Sequence, residues 1–110
     1  AALLARHAEL YAGFDRLAPG IVGMLSTEQG REMRAALNRD RQKVFVGIVG
    51  EVAPGCSSAH ARRAAAVIQL LHSAYAWASL REQWSMSGTE AAKATRWAIE
   101  QLVESLRRES

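Results

Sequence analysis

A chain of 110 residues with 49% hydrophobic and 23% charged residues carries enough apolar material for one domain, burying roughly two thirds of its extended surface, and is too apolar for intrinsic disorder. Its single cysteine, Cys56, excludes an intrachain disulfide and offers no cysteine-based metal-ligand spacing. The net charge of +3 permits contact with nucleic acid without establishing it, and with no signal-peptide pattern and no 18-residue apolar stretch the expectation is a cytoplasmic protein outside the membrane.

Residues 2 to 17 place Leu3, His7, Leu10, Tyr11, Phe14 and Leu17 on one side and Arg6, Glu9 and Arg16 on the other, the pattern of an amphipathic helix. Pro19-Gly20 is expected to end it, because proline lacks a backbone donor and restricts the residue before it. Ile21 to Leu25, with Met24 among them, then form a turn or a short helical segment. A long helix follows. Ser26 or Thr27 caps it, Ser26 with Gln29 having the spacing of a capping box. It runs to Ala53, with Met33, Leu37, Val44, Ile48 and Val52 in one stripe that Phe45 broadens and Val49 adjoins. Arg31, Arg34, Arg39, Arg41 and Lys43 are interleaved with Glu28, Glu32 and Asp40 around this helix, which favours a solvated face with local ion pairs over a phosphate-binding stripe. Gly30, Gly47 and Gly50 lie inside it, each costing about 1 kcal/mol against alanine. They read either as close helix packing or as a gap beside a ligand.

Pro54-Gly55-Cys56-Ser57-Ser58 is the clearest loop, and Ser57 or Ser58 caps the next helix. Between Arg63 and Arg81 no side chain is charged. This stretch is expected to be one helix reaching Trp84, with Val67, Leu70, Leu71, Ala74, Trp77 and Ala78 on its apolar face, Ile68 and Tyr75 widening it, and Gln69, His72, Ser73 and Ser79 completing the surface. Ser87 with Glu90 has capping-box spacing, so a last helix starts near Thr89. Along it Ala91, Ala94, Thr95, Ala98, Ile99, Leu102, Val103 and Leu106 share a face opposite Lys93, Arg96, Glu100, Glu104, Arg107 and Arg108. The expected fold is all-α, an antiparallel helical bundle of about four long helices plus a short segment, with residues 1–110 as a single domain. Its last two helices form a hairpin whose apolar surface exceeds what the preceding helices cover. The surplus is expected to be a subunit interface through Leu70, Ala74, Trp77, Arg81, Ala91, Ala94, Ala98, Leu102 and Leu106.

Catalytic motifs are sparse. His7, His60 and His72 include no pair at i, i+4 and no Glu-x-x-His motif, there is no Gly-rich phosphate loop or Gly-x-Ser-x-Gly elbow, and Cys56 sits in a loop without a nearby base. Neither catalysis nor a metal or other cofactor is expected. The polar residues on buried faces carry more information, since a partnerless buried polar group costs about 1–3 kcal/mol. His72, Gln69 and Tyr75, with His7 and Tyr11 on the first helix, are each either core residues bonded to a carbonyl or to another subunit, or ligand-orienting groups in an apolar pocket.

The run Trp84-Ser85-Met86-Ser87-Gly88-Thr89-Glu90-Ala91-Ala92, followed by Thr95-Arg96-Trp97-Ala98-Ile99 and Leu102-Val103, resembles the last two helices of TetR-family transcriptional regulators. Arg62-Arg63-Ala64-Ala65-Ala66, leading into an alanine- and leucine-rich helix, is similar to the penultimate helix of that family. The likeness spans residues 59 to 106. The first half is similar only in being helical, and the family's DNA-reading helix-turn-helix has no counterpart here. The resemblance implies an effector-binding and dimerisation domain of a repressor-type regulator, acting as a homodimer and reaching DNA only through a domain upstream of residue 1. It implies a pocket between residues 7 to 24, 45 to 52 and one face of 68 to 75, with His7, Tyr11, Phe14, Met24, Phe45, Val49, Ile68, His72 and Tyr75 as ligand-binding residues. The small-molecule effector is expected to be mostly apolar and weakly charged. The alternative is a helical protein–protein adaptor without a ligand pocket.

Overall fold

The computed structural model describes residues 2–109. Six helices account for nearly all of them: α1 (Ala2–Arg16), α2 (Ala18–Ser26), α3 (Glu28–Val52), α4 (Ser58–Leu71), α5 (Ala74–Trp84) and α6 (Gly88–Glu109). No strand occurs among the described residues, and none of these helices is long and apolar enough to cross a membrane. The all-helical class therefore holds, with α2 in place of the short segment and two helices, α4 and α5, in place of the long uncharged one.

Local signals explain most of the boundaries. The Thr27 hydroxyl accepts the Gly30 N–H, so Thr27, not Ser26, caps α3; the Ser26 hydroxyl turns back to the Val22 carbonyl instead. Ser57 caps α4 through the His60 N–H, and Ser87 accepts the Glu90 N–H at the start of α6. Pro19 plays a different part from the one expected. The first helix already ends at Arg16, and Pro19 lies in the first turn of α2, where its missing N–H would have had no helical partner and its fixed φ suits the helix.

The uncharged segment is broken. α4 stops at Leu71, His72 and Ser73 leave the helix, and α5 restarts at Ala74. Two carbonyls released by the break are satisfied by side chains: the Ser73 hydroxyl donates to Leu70 O at 2.6 Å, and the Tyr11 hydroxyl, from α1, donates to Leu71 O at 2.6 Å. The expected single helix from residue 57 to 84 is therefore corrected to two, and the reason is partly a residue 60 positions away.

The core has two parts. One, between α3, α4 and α6, holds Val49, Ala53, Ala64, Ala65, Ile68, Ile99, Val103 and Leu106. The other, where α1 and α5 meet the start of α6, holds Tyr11, Trp77, Ala91 and Ala92, with Phe14, Ile21 and Leu80 packed against it. Trp77 is fully buried and donates its indole N–H to Asp15 at 2.8 Å, while Arg81 stacks on the Trp77 ring. Asp15 also lies against Gly88, where an added Cβ would overlap its carboxylate, so a larger residue at the helix start would displace the group that accepts from Trp77.

The hairpin surplus is largely taken up inside the chain, because α1 lies along α6 and makes its most extensive packing there. In contrast, the expected α3 stripe is only half covered. Ile48 and Val52 are partly buried, whereas Met33, Leu37 and Val44 are exposed. A Cβ at Gly47 or Gly50 would meet nothing within 4 Å, so within the chain these glycines do not serve close packing; Gly30 does, against the Met24 carbonyl.

Candidate functional site

The break between α4 and α5 places His72 at one end of a polar chain that runs through His7 to Thr95. His7 Nδ1 lies 2.8 Å from His72 Nδ1, and His7 Nε2 lies 2.6 Å from the Thr95 hydroxyl. The Thr95 hydroxyl donates to Ala91 O at 2.8 Å, so its oxygen is the acceptor toward His7. The protons then follow in order. His7 carries its proton on Nε2 and leaves Nδ1 bare, and His72 must donate from its own Nδ1. His72 Nε2 remains as an acceptor for which no partner occurs among the described residues.

Burial pushes the His7 imidazole down to about 4, helped by His72 where that ring is protonated and by the Arg96 charge, and burial lowers His72 as well. Both rings are thus held neutral near pH 7, as a single shared proton between two Nδ1 atoms requires. Burial also raises the Tyr11 phenol above its usual range, so it acts as a hydrogen-bond donor to Leu71 O and not as an acid.

On the side of His72 away from α6 lies an open cavity of about 340 Å³. Leu10, Phe14, Ile21, Met24, Phe45 and Ala74 form its apolar walls, and Gln69, His72 and Ser73 line it from the helix break. The volume is that of a small ligand site. Arg34 and Arg41 reach the same cavity from α3. No acidic side chain lines it, and neither guanidinium forms an ion pair among the described residues; Arg34 instead stacks 4.4 Å over the Tyr75 ring.

Of the nine residues expected to bind ligand, the cavity gathers Phe14, Met24, Phe45 and His72. His7 and Tyr11 are buried behind it, in the polar chain and the core respectively. Val49 and Ile68 are 1% exposed core residues with no face toward it. Tyr75 is exposed and lines a separate shallow groove of about 400 Å³ with Leu70, Leu71, Ala76, Ser79, Leu80 and Thr95. Gln69 and Ser73 also line the cavity, and Gln69 borders a smaller groove of about 130 Å³ with Gln42, Val46 and Arg62 as well.

Arg34 and Arg41 are the residues that the sequence pattern passed over. Their i, i+7 spacing, with Phe45 four residues further, puts all three on one side of α3, but Asp40 between them and Glu28 and Glu32 before them obscured it. A second cavity of about 280 Å³ runs between α1 and α6 past Ala8, Ala12, Ala92 and Lys93. His7 and Tyr11, two of the residues expected to bind ligand, line it together with Asp15 and Arg96, but it lacks the cluster of aromatic and long aliphatic side chains that surrounds the first cavity.

The expected interface residues divide. Trp77 and Ala91 are 0% exposed, and Ala74 and Leu106 are also buried, all within the one chain, so they have no surface to offer a partner in this arrangement. Ala94, Ala98 and Leu102 are half-buried along one edge of α6, while Leu70 and Arg81 are exposed. Trp97, on α6, is 66% exposed, and Val67 and Tyr75 are exposed beside Leu70.

The arrangement defines an all-helical domain with an open, cationic-rimmed apolar cavity. The chain matches no protein-family model, no curated protein and no solved structure.

Proposed function

We propose that this chain is the effector-sensing and dimerisation domain of a TetR-like transcriptional regulator, whose DNA-reading helix-turn-helix is supplied upstream of residue 1. The effector is a mostly apolar small molecule carrying one anionic group. It lies between α1, α2, α3 and the α4–α5 break, with its chain or ring against Phe14, Ile21, Met24 and Phe45 and its anion toward Arg34 and Arg41. This departs from a weakly charged effector, because two guanidinium groups without carboxylate partners are left on the cavity rim.

The observation that carries the reading is the position of His72. Its ring lines the cavity, and through His7 and Thr95 it is joined to α1 and to α6, one helix of the hairpin. Ligand occupancy at His72 is therefore communicated to α6 through hydrogen bonds. Its effect on DNA affinity is limited to the difference in ligand affinity between the two arrangements of the dimer. Dimerisation uses the outer surface of α4, α5 and α6, through Val67, Leu70, Tyr75, Ala94, Trp97, Ala98 and Leu102, most of it apolar and open.

Calorimetric titration with decanoate and with an aryl acetate, against decanamide as the uncharged counterpart, tests the ligand class. The acids are expected to bind at one site per chain and decanamide at least tenfold more weakly; equal affinity for all three would count against an anion site. Ala98→Glu is expected to convert a dimer into monomers, and light scattering that finds the dimer unchanged would remove α6 from the interface. A helical adaptor is the second reading, favoured by the apolar groove of Leu70, Leu71, Tyr75 and Leu80. It requires a monomer at high micromolar concentration that takes up none of these ligands.

A further inference from the structure

Far from the cavity, at the opposite end of α4, three side chains of different donor chemistry meet. Cys56 lies in the α3–α4 loop, held there by its N–H to the Ala53 carbonyl at 3.1 Å and by packing against the core. His60 follows in the first turn of α4, which Ser57 caps. Glu109 comes from the last turn of α6, and its carboxylate lies 2.7 Å from His60 Nε2. One ligating atom from each, sulfur, nitrogen and oxygen, lies within 4.8 Å of the others.

We propose that Cys56, His60 and Glu109 form a binding site for one divalent ion of the zinc class, with a water molecule as fourth ligand. The donor set decides the class. A thiolate excludes magnesium and calcium, which take oxygen ligands, whereas sulfur, imidazole and carboxylate together suit zinc or cobalt. Bonds of ~2.0–2.3 Å place tetrahedral ligand atoms roughly 3.3–3.8 Å apart, so the Cys56 sulfur, within 4.8 Å of the other two, closes by up to about 1 Å, while the His60 and Glu109 atoms, 2.7 Å apart, open slightly to admit the ion. His60 and Glu109 have the freedom to do so, since their side chains are 40% and 51% exposed. The thiolate and the carboxylate together balance the charge of the ion, and the thiol proton is released to solvent on binding.

The ion replaces an existing contact and adds another. His60 Nε2 now faces Glu109; with the metal on that nitrogen, the ring proton sits on Nδ1, and both groups turn to the ion. The result ties the end of α6 to the loop that begins α4. Sequence spacing conceals this site because only Cys56 and His60 are near each other in the chain, while Glu109 arrives through the packing of α4 on α6.

Cobalt(II) titration of the full chain tests this independently of any effector or DNA, because Cys56 is the only thiol. One equivalent of cobalt is expected to produce a thiolate-to-cobalt charge-transfer band together with the visible absorption of tetrahedral cobalt, and zinc is expected to displace it and raise Tm. Cys56→Ser is expected to abolish the charge-transfer band, and His60→Ala and Glu109→Gln to weaken binding at least tenfold and several-fold. His60 and Glu109 lie at the surface, so their variants carry the test even where Cys56→Ser fails to fold. No band at one equivalent overturns the site. A band that survives unchanged in both His60→Ala and Glu109→Gln also overturns it, since the metal is then held by the thiol alone.

Discussion

His7 and His72 stand 65 positions apart in the chain and share one hydrogen bond, Nδ1 to Nδ1, at 2.8 Å. A bond of that kind holds only while at least one of the two facing nitrogens is unprotonated, so the link between the cavity and α6 depends on a neutral imidazole.

The pH dependence follows with a definite sign. In the unfolded chain His7 takes up its proton near pH 6.5, whereas in the folded chain burial delays this to about 4. Between these values the unfolded state binds more protons, so stability is full above pH 6.5 and falls as the pH is lowered toward 4. The loss from His7 is on the order of 3 kcal/mol. His72 is shifted in the same direction and adds to it. Denaturant midpoints measured from pH 7.5 to pH 4 are expected to show this slope, and a flat profile would mean that the rings are solvated in the folded chain.

Tyr11→Phe tests why α4 stops at Leu71. It removes the donor to Leu71 O and little else, and is expected to cost about 1–2 kcal/mol, the range for leaving a buried carbonyl unsatisfied. Amide exchange at residues 72 to 76 is expected to accelerate with it. A variant as stable as the parent would place a water where the phenol now donates.

Two glycines in helices are expected to respond in opposite ways to alanine. Gly88→Ala drives a methyl group into the Asp15 carboxylate and disturbs the Trp77 bond, so a loss of about 2 kcal/mol or more is expected. Gly47→Ala meets open space and gains helix propensity, up to about 1 kcal/mol of stability. Thermal unfolding of both variants measures the contrast; a destabilised Gly47→Ala would reveal a partner packed on that face of α3.

Arg41→Gln and Arg34→Gln are expected to reduce affinity for an amphipathic acid by roughly 10- to 100-fold each, the scale of one charged hydrogen bond, while leaving the uncharged counterpart unaffected. Titration of both ligand types against both variants separates loss of charge recognition from a damaged cavity, since damage would lower the two affinities alike.

Much of the fold was readable from local pattern because its causes are local. Hydrophobic spacing placed the all-helical class and most helix ends, and Ser57 and Ser87 announced the caps of α4 and α6. The polar residues His7, Tyr11 and His72 stood out for the same reason, as groups that needed partners wherever their faces were buried. The pattern misled at Met33, Leu37 and Val44, where an apolar stripe stays half exposed or more, and at Trp77 and Ala91, which are already covered within the chain by α1 and its neighbours.

The sequence by itself determined that this chain is helical, which residues face inward on α6 and, apart from the exposed Leu17, on the first helix, and that several buried polar groups had to be satisfied. Only the tertiary structure decided that the uncharged segment breaks at His72, that Arg34 and Arg41 converge on the cavity beside it, and that Glu109 meets Cys56 and His60. The physical reason is one of range. Propensity, capping and periodicity act within a few residues, while a hydroxyl that caps a carbonyl 60 residues away, or a thiol, imidazole and carboxylate that meet from a loop and two helices, exists only once the packing has brought them together.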